Sequence, residues 1–167
     1  MTGWIPERMS LSECNKENFF SLISRRYNAG EALVTFATGD ISDFESERTG
    51  LVSTHAYAML DVKSVNVVFL NKIHFEINLP LKFFQDQRLF LLKNPWSHVR
   101  WKGKFSERDL GSWTTEMKRV LNYDPSSAKN FDNGVFWIDI DSLFKFFDVC
   151  YLSWNPALFK YVYCTHE

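Results

Sequence analysis

Two apolar, strand-like runs limit what this chain can fold into more than any other feature. Residues 50–60, Gly50-Leu51-Val52-Ser53-Thr54-His55-Ala56-Tyr57-Ala58-Met59-Leu60, open on a glycine and carry one histidine at their centre. Residues 88–96, Arg88-Leu89-Phe90-Leu91-Leu92-Lys93-Asn94-Pro95-Trp96, stay apolar until they stop at Asn, Pro and Trp. Short apolar runs of this kind, bounded by Gly, Asn and Pro, read as strands. Strand-like segments outnumber helical ones along the rest of the chain. The expected fold class is therefore α+β, a largely antiparallel sheet with a few short helices.

A histidine and an asparagine, each held by its own strand, are two of the three parts of a thiol-protease triad. The imidazole takes a proton from a thiol and later protonates the leaving amine, while the amide oxygen fixes which ring nitrogen is protonated. The indole of Trp96 can keep water off such a pair. On spacing alone the plainer reading stays open: His55 serves the sheet, Asn94-Pro95 is an ordinary strand-to-turn ending, and Trp96 belongs to the core.

Composition narrows the partners. A chain of 167 residues suffices for one domain, and 46% hydrophobic content with six Trp and sixteen Phe excludes disorder. A net charge of −1 gives no electrostatic footprint for nucleic acid or an anionic membrane. No run reaches the ~18 apolar residues of a membrane helix, and Glu7, Arg8, Ser10 and Glu13 break any signal-peptide pattern. Three scattered cysteines make no disulfide framework and fit a reducing, cytoplasmic setting. Cys14 precedes a helical pattern, which can lower a thiol pKa, but Glu13 opposes the thiolate. Cys150 reads as a small buried hydrophobe. His74 and His98 have no partner pattern and read as surface residues, and His166 sits near a terminus.

In chain order, residues 1–6 read as a loop or strand end. A helix follows from Asn15, with Phe19, Leu22, Ile23 and Tyr27 on one face and Asn28-Ala29-Gly30 as its stop. Residues 31–38 form a strand, and 41–49 an acidic surface loop. Residues 72–79 alternate strictly before Pro80, as an edge-capable strand does. Residues 99–105 alternate too, so that Trp101 and Phe105 can share a face. Residues 106–130 hold loop and short helix around Trp113. A strand at 134–140, a helix at 142–147 capped by Asp141, and a strand at 149–154 ending at Asn155-Pro156 complete the chain. Trp101, Trp113, Trp137 and Trp154 are assigned to packing.

The wording around the pair adds a resemblance. Gly50-Leu51-Val52, His55-Ala56-Tyr57, Leu92-Lys93-Asn94-Pro95-Trp96, Trp101-Lys102-Gly103 and Asn133-Gly134-Val135-Phe136-Trp137 resemble, in order, the second half of the calpain catalytic core. Thr2-Gly3-Trp4-Ile5-Pro6-Glu7-Arg8 and Tyr151-Leu152-Ser153-Trp154-Asn155-Pro156 look most like the calpain-seven, PalB-like branch. The resemblance implies that residues 1–167 are the His/Asn half of a papain-like calpain core, from a truncated or incomplete product of a cysteine endopeptidase gene. It implies His55 as general base, Asn94 as its orienter and Trp96 lying over both. It implies a polypeptide substrate and, as partner, a Cys-containing first half that also brings the oxyanion-hole donors.

In that family the nucleophile precedes a Trp in a Gln- and Gly-containing turn, and Cys14, Cys150 and Cys164 have no such setting. No nucleophile is therefore assigned, and the chain alone is expected to be inactive. Conventional calpains also hold calcium in this half with acidic residues. Here Arg100 stands where Glu is usual, Asn133 and Val135 stand for Asp and Glu, and Glu107 alone keeps an acid. No metal or other cofactor is expected. Thr54 stands where conventional members have Gly, and its Cβ narrows the cleft. The rival reading is a non-catalytic interaction domain descended from a calpain.

The resemblance breaks across about residues 65–85. A retained intron would begin with a GT codon, which can encode Val65. It would end in a pyrimidine-rich tract and CAG, which can read through Leu79-Pro80-Leu81 to Phe83-Phe84-Gln85. A lineage-specific loop is the alternative, and the alternation at 72–79 keeps it open. Either way, the segment is expected to project from the core near His55 with its flanking strands in register.

Overall fold

The computed structural model describes residues 3–71, 81–97, 99–130 and 133–161. Six strands form one sheet: β1 (Ile5–Ser10), β2 (Ala32–Ala37), β3 (Ala56–Asn71), β4 (Leu81–Lys93), β5 (Val135–Asp139) and β6 (Val149–Trp154). Their spatial order is β1-β6-β2-β3-β4-β5, and every neighbouring pair is antiparallel. The helices are α1 (Lys16–Asn28), α2 (Asp43–Thr49), α3 (Thr115–Val120), α4 (Pro125–Ala128) and α5 (Ile140–Phe146). The α+β expectation holds.

Helix α1 forms where its sequence allows it. The Asn15 side chain accepts a hydrogen bond from the Asn18 N–H and so satisfies one of the free amides of the first turn. Phe19, Phe20 and Ile23 turn a buried stripe to the sheet. Alternation along the strands then feeds two cores. Phe90 and Leu92 of β4, with Phe136 and Ile138 of β5, enter the core beneath α1 and α5, whereas Leu89 and Trp137 enter a second cluster with Phe105, Trp113 and Met117. The sheet is thus covered on both faces. Phe36 lies at the centre of the larger core, 5.5 Å from Phe90 between ring centres, and Tyr57 touches Phe147 and Phe136. Edge-to-face pairs of this kind add ~0.5–1.5 kcal/mol each beyond their buried area. They make a rigid floor under the start of β3.

Several elements differ from the sequence expectation, each for a physical reason. Residues 43–49 are a helix and not an acidic loop: Ser42 caps the Glu45 N–H, and Gly50, at φ +72°, ends the helix in the left-handed conformation. Gly50 therefore closes a helix and does not open a strand, and residues 50–54 form a turn before β3. Residues 99–105 are not a strand, since the ladder that β4 offers is taken by β5. Trp101 goes to the larger core and Phe105, at φ +62°, to the smaller one. The stretch read as a loop or strand end over residues 1–6 leads into strand β1 at Ile5, which pairs along its length with β6. Helix α5 begins two residues earlier than expected, at Ile140 with Asp139 at the cap position.

Strands β3 and β4 continue past their neighbours as a two-stranded ribbon, in register to Asn71 opposite Leu81. A projecting hairpin or poorly ordered loop near His55 was expected; the flanking strands are in register, but their Asn71–Leu81 end does not lie near His55. His55 is at one end of β3 and the Asn71–Leu81 pair at the other, so the 16 residues of the strand separate them by ~50 Å at ~3.3 Å per residue. The alternating stretch at 72–79 lies outside the described residues. One irregularity interrupts the ribbon's root, where Leu60 is an extra residue between the pairs Met59–Leu92 and Asp61–Leu91. The Tyr27 hydroxyl donates to the Leu60 carbonyl at 2.5 Å and satisfies it.

Candidate active site

Antiparallel pairing of β3 with β4 puts the first residue before one strand beside the first residue after the other. His55 precedes Ala56, Asn94 follows Lys93, and Lys93 stands opposite Ala58. The sequence expectation placed the two residues side by side, and the fold does so: His55 Nε2 lies 2.9 Å from Asn94 Oδ1.

The turn that delivers His55 is fixed by five hydrogen bonds. The His55 N–H donates to Thr38 Oγ1 at 3.0 Å, and the Thr38 N–H returns a bond to the His55 carbonyl. The Thr38 hydroxyl passes its own proton to the Val52 carbonyl at 2.6 Å. The Val52 N–H donates to the Tyr57 hydroxyl, and the Thr54 N–H donates to the Gly39 carbonyl. Thr38 and Tyr57 are buried, and burial pushes the Tyr57 phenol up to about 12, against the opposing pull of the Val52 N–H. Thr54 sits at φ +47°. A β-branched residue in the left-handed region is strained by ~1–3 kcal/mol, so the turn is held by its partners and not by local preference.

Asn94 is fully buried, and its amide has one orientation. Nδ2 donates to the Val99 carbonyl at 2.8 Å, and Oδ1 accepts the Trp96 N–H at 2.9 Å, an Asx turn closed around Pro95. The oxygen is therefore the atom facing His55, and a carbonyl oxygen can only accept. The proton of the pair must then sit on Nε2. Nδ1 keeps its lone pair, and among the described residues it has no hydrogen-bond partner. The backbone of Asn94 is pinned as well, its N–H donating to Gly134 O at 2.9 Å. At Gly134, φ +74°, a Cβ would stand 2.3 Å from the Asn94 carbonyl, so only glycine fits.

Trp96 lies over the imidazole, with ring centres 4.4 Å apart at 46°, and is 54% exposed. That exposure rules out the core alternative for Trp96. Trp101, Trp113 and Trp137 are buried as expected, while Trp154 donates its indole N–H to Glu7. His74, His98, Cys164 and His166 lie outside the described residues. The described thiols do not join the pair. Cys14 donates to the Ser10 carbonyl, and burial, then Glu13, raises its pKa, which disfavours the thiolate. Cys150 is buried in β6, and burial raises its pKa well out of reach.

Arg100, Glu107 and Arg108 form a separate charged cluster. The Arg100 guanidinium is 3.6 Å from Glu107 Oε1 and donates to the Ala128 carbonyl at 3.0 Å. Asn133 turns its side-chain oxygen to the Val135 N–H. Thr38, Gly134 and the Val99 carbonyl are the site elements that sequence reasoning missed. Gly134 stood in a quoted motif, but the other two carry no local signal.

Comparison with known proteins gives a family match over most of the chain. The calpain family cysteine protease model matches residues 1–153. Calpain-7 of Mus musculus is 44% identical and calpain-7 of Homo sapiens 43% identical over 171 aligned residues, which cover 100% of this chain and 19% of either relative. The calpain-like protease palB/RIM13 of Aspergillus oryzae is 31% identical over 96% of the chain and 16% of its own length. The chain thus spans about a fifth of the calpain-7 sequences it matches.

Proposed function

The chain belongs to the calpain family of cysteine proteases, and from that premise we propose that it is the second, His/Asn-bearing subdomain of a calpain-type endopeptidase core. The observation that carries this reading is the His55–Asn94 hydrogen bond, with the amide oriented so that Nε2 holds the proton and Nδ1 does not. His55 is then the base and Asn94 its orienter.

The chemistry follows from that tautomer. A thiol brought to Nδ1 gives up its proton, and the resulting imidazolium is stabilised by the Asn94 oxygen on Nε2–H. The thiolate adds to the peptide carbonyl. Nδ1–H then protonates the leaving amine, which leaves an acyl-enzyme, and Nδ1 next takes a proton from the water that hydrolyses the thioester. The Trp96 ring covers one side of the imidazole and excludes water there. The substrate is a polypeptide laid extended across the face that His55 and Trp96 leave open. The attacking thiol and the oxyanion donors come from a Cys-containing first half, because Cys14 and Cys150 are held elsewhere.

The placement of those two thiols also favours a second reading, a calpain-derived interaction domain in which the pair only braces the sheet. The test begins with the chain alone and a casein or peptide reporter, with and without calcium. No hydrolysis is expected. Hydrolysis that disappears on Cys14→Ser would place the nucleophile in this chain and overturn the half-core reading.

A further inference from the structure

The Arg100 cluster sits between the two elements that hold the candidate pair. Val99, next to Arg100, supplies the carbonyl that orients the Asn94 amide. On the other side, the Lys102 N–H donates to the Thr49 carbonyl, and Lys102 Nζ reaches the Glu47 carbonyl, both at the end of α2 that leads into the His55 turn. Gly50 touches the same strip so closely that a Cβ there would stand 1.9 Å from the Arg100 carbonyl. Residues 99–102 are thus a wedge in contact with both sides of the site.

What anchors this wedge is charge. The side chains of Arg100 and Glu107 are 11% and 5% exposed, and the nearby Arg108 reaches Glu107 only at 3.9 Å from an exposed position. Glu107 Oε2 and the Tyr123 hydroxyl are buried with no hydrogen-bond partner among the described residues. Tyr123 senses the carboxylate: its pKa is pushed up to about 12 by burial first and by Glu107 next, with Arg100 opposing. A carboxylate this deeply buried requires a cation. The donors present do not suit a divalent metal, since a guanidinium stands 3.6 Å from the acid and, among the described residues, no group of three acidic, His or Cys side chains gathers there.

We propose that Arg100 is a built-in cation that replaces a bound divalent ion in this half and, through the Val99 carbonyl, positions Asn94 for His55. The positioning clause rests on the proposed role of the pair. Its test, however, reads the imidazole itself and not turnover, so either claim can fail without the other.

The experiment combines long-range proton–nitrogen NMR of the His55 ring with thermal melting in calcium chloride or EDTA. The wild-type chain is expected to show a single Nε2–H tautomer and a melting midpoint that calcium leaves unmoved. Arg100→Gln loses the single tautomer, because the Val99 carbonyl is no longer held. Arg100→Lys keeps charge and fold and restores it, which separates positioning from simple unfolding if the Gln variant melts out. Arg100→Glu combined with Arg108→Glu, at the two guanidiniums 3.6 and 3.9 Å from Glu107, converts the cluster into an acidic site, and calcium raises its midpoint by several degrees. A wild-type midpoint that rises in calcium, or a double variant indifferent to it, overturns the replacement of the ion. An unchanged Nε2–H spectrum in Arg100→Gln, or a mixed one in folded Arg100→Lys, overturns the positioning.

Discussion

Replacing Asn94 by alanine removes three hydrogen bonds at once: 2.9 Å to His55 Nε2, 2.9 Å from the Trp96 N–H and 2.8 Å to the Val99 carbonyl. A protein hydrogen bond is worth ~1 kcal/mol net, and a buried group left without its partner costs ~1–3 kcal/mol. The three losses are not equal. His55 is only part-buried and water can reach it, whereas the Asn94 side chain is fully enclosed and leaves its backbone partners facing a small void. The expected destabilisation is ~2–4 kcal/mol, the lower end if water fills the void. At ~2–4 °C per kcal/mol for a chain of this size, the melting midpoint falls by ~10 °C. Urea unfolding followed by tryptophan fluorescence is the assay. The midpoint concentration should drop with its slope unchanged, which marks lost stability and not an altered unfolded state. A loss below ~1 kcal/mol would mean that the amide does not organise the turn, and with it the argument for a fixed tautomer fails.

Thr54→Gly should stabilise the chain by ~1 kcal/mol, since relief of left-handed strain at φ +47° exceeds the entropic cost of glycine; thermal melting checks it. The Tyr57 phenol is raised to about 12 in the folded chain. Its contribution is therefore fully present below the ordinary phenol value near 10 and is lost as pH rises through about 12. Urea midpoints should fall across that window, by of order 2 kcal/mol from this group, and the fall should shrink in Tyr57→Phe. Transcript sequencing tests the origin of residues 65–85: a translated intron predicts a shorter spliced form, and its absence from every transcript leaves a lineage-specific ribbon.

The pair was legible from the order of the motifs that resemble the calpain core, since spacing alone left the plainer reading open, and the antiparallel pairing of β3 with β4 brings the two residues together. Helix α1 was legible from its start and from Phe19 and Ile23 of its expected face, although Phe20, and not Leu22, completes the buried stripe. The misreadings arose where local pattern and tertiary demand diverge. Residues 43–49 are rich in acids and read as solvated loop, although Ser42 with Glu45 three residues on is a helix-start signal. Residues 99–105 alternate like a strand, yet Trp101 folds back over Gly103 and gives its indole N–H to the Lys104 carbonyl. Thr38 was invisible because its role exists only once β2 lies beside β3. The hairpin's position depended on how far β3 runs beyond His55, on to Asn71, a length that local spacing does not encode.

The central claim is that His55 is the base of a protease core completed by a second, Cys-containing half. The most direct measurement is the rate of peptide-reporter hydrolysis by this chain joined to such a half, compared with the same joined protein carrying His55→Ala. The account predicts hydrolysis only in the joined form and a loss of at least 10²-fold in the variant, the ordinary contribution of a positioned base. Undiminished hydrolysis in the His55→Ala protein, or turnover by the unjoined chain, would contradict it.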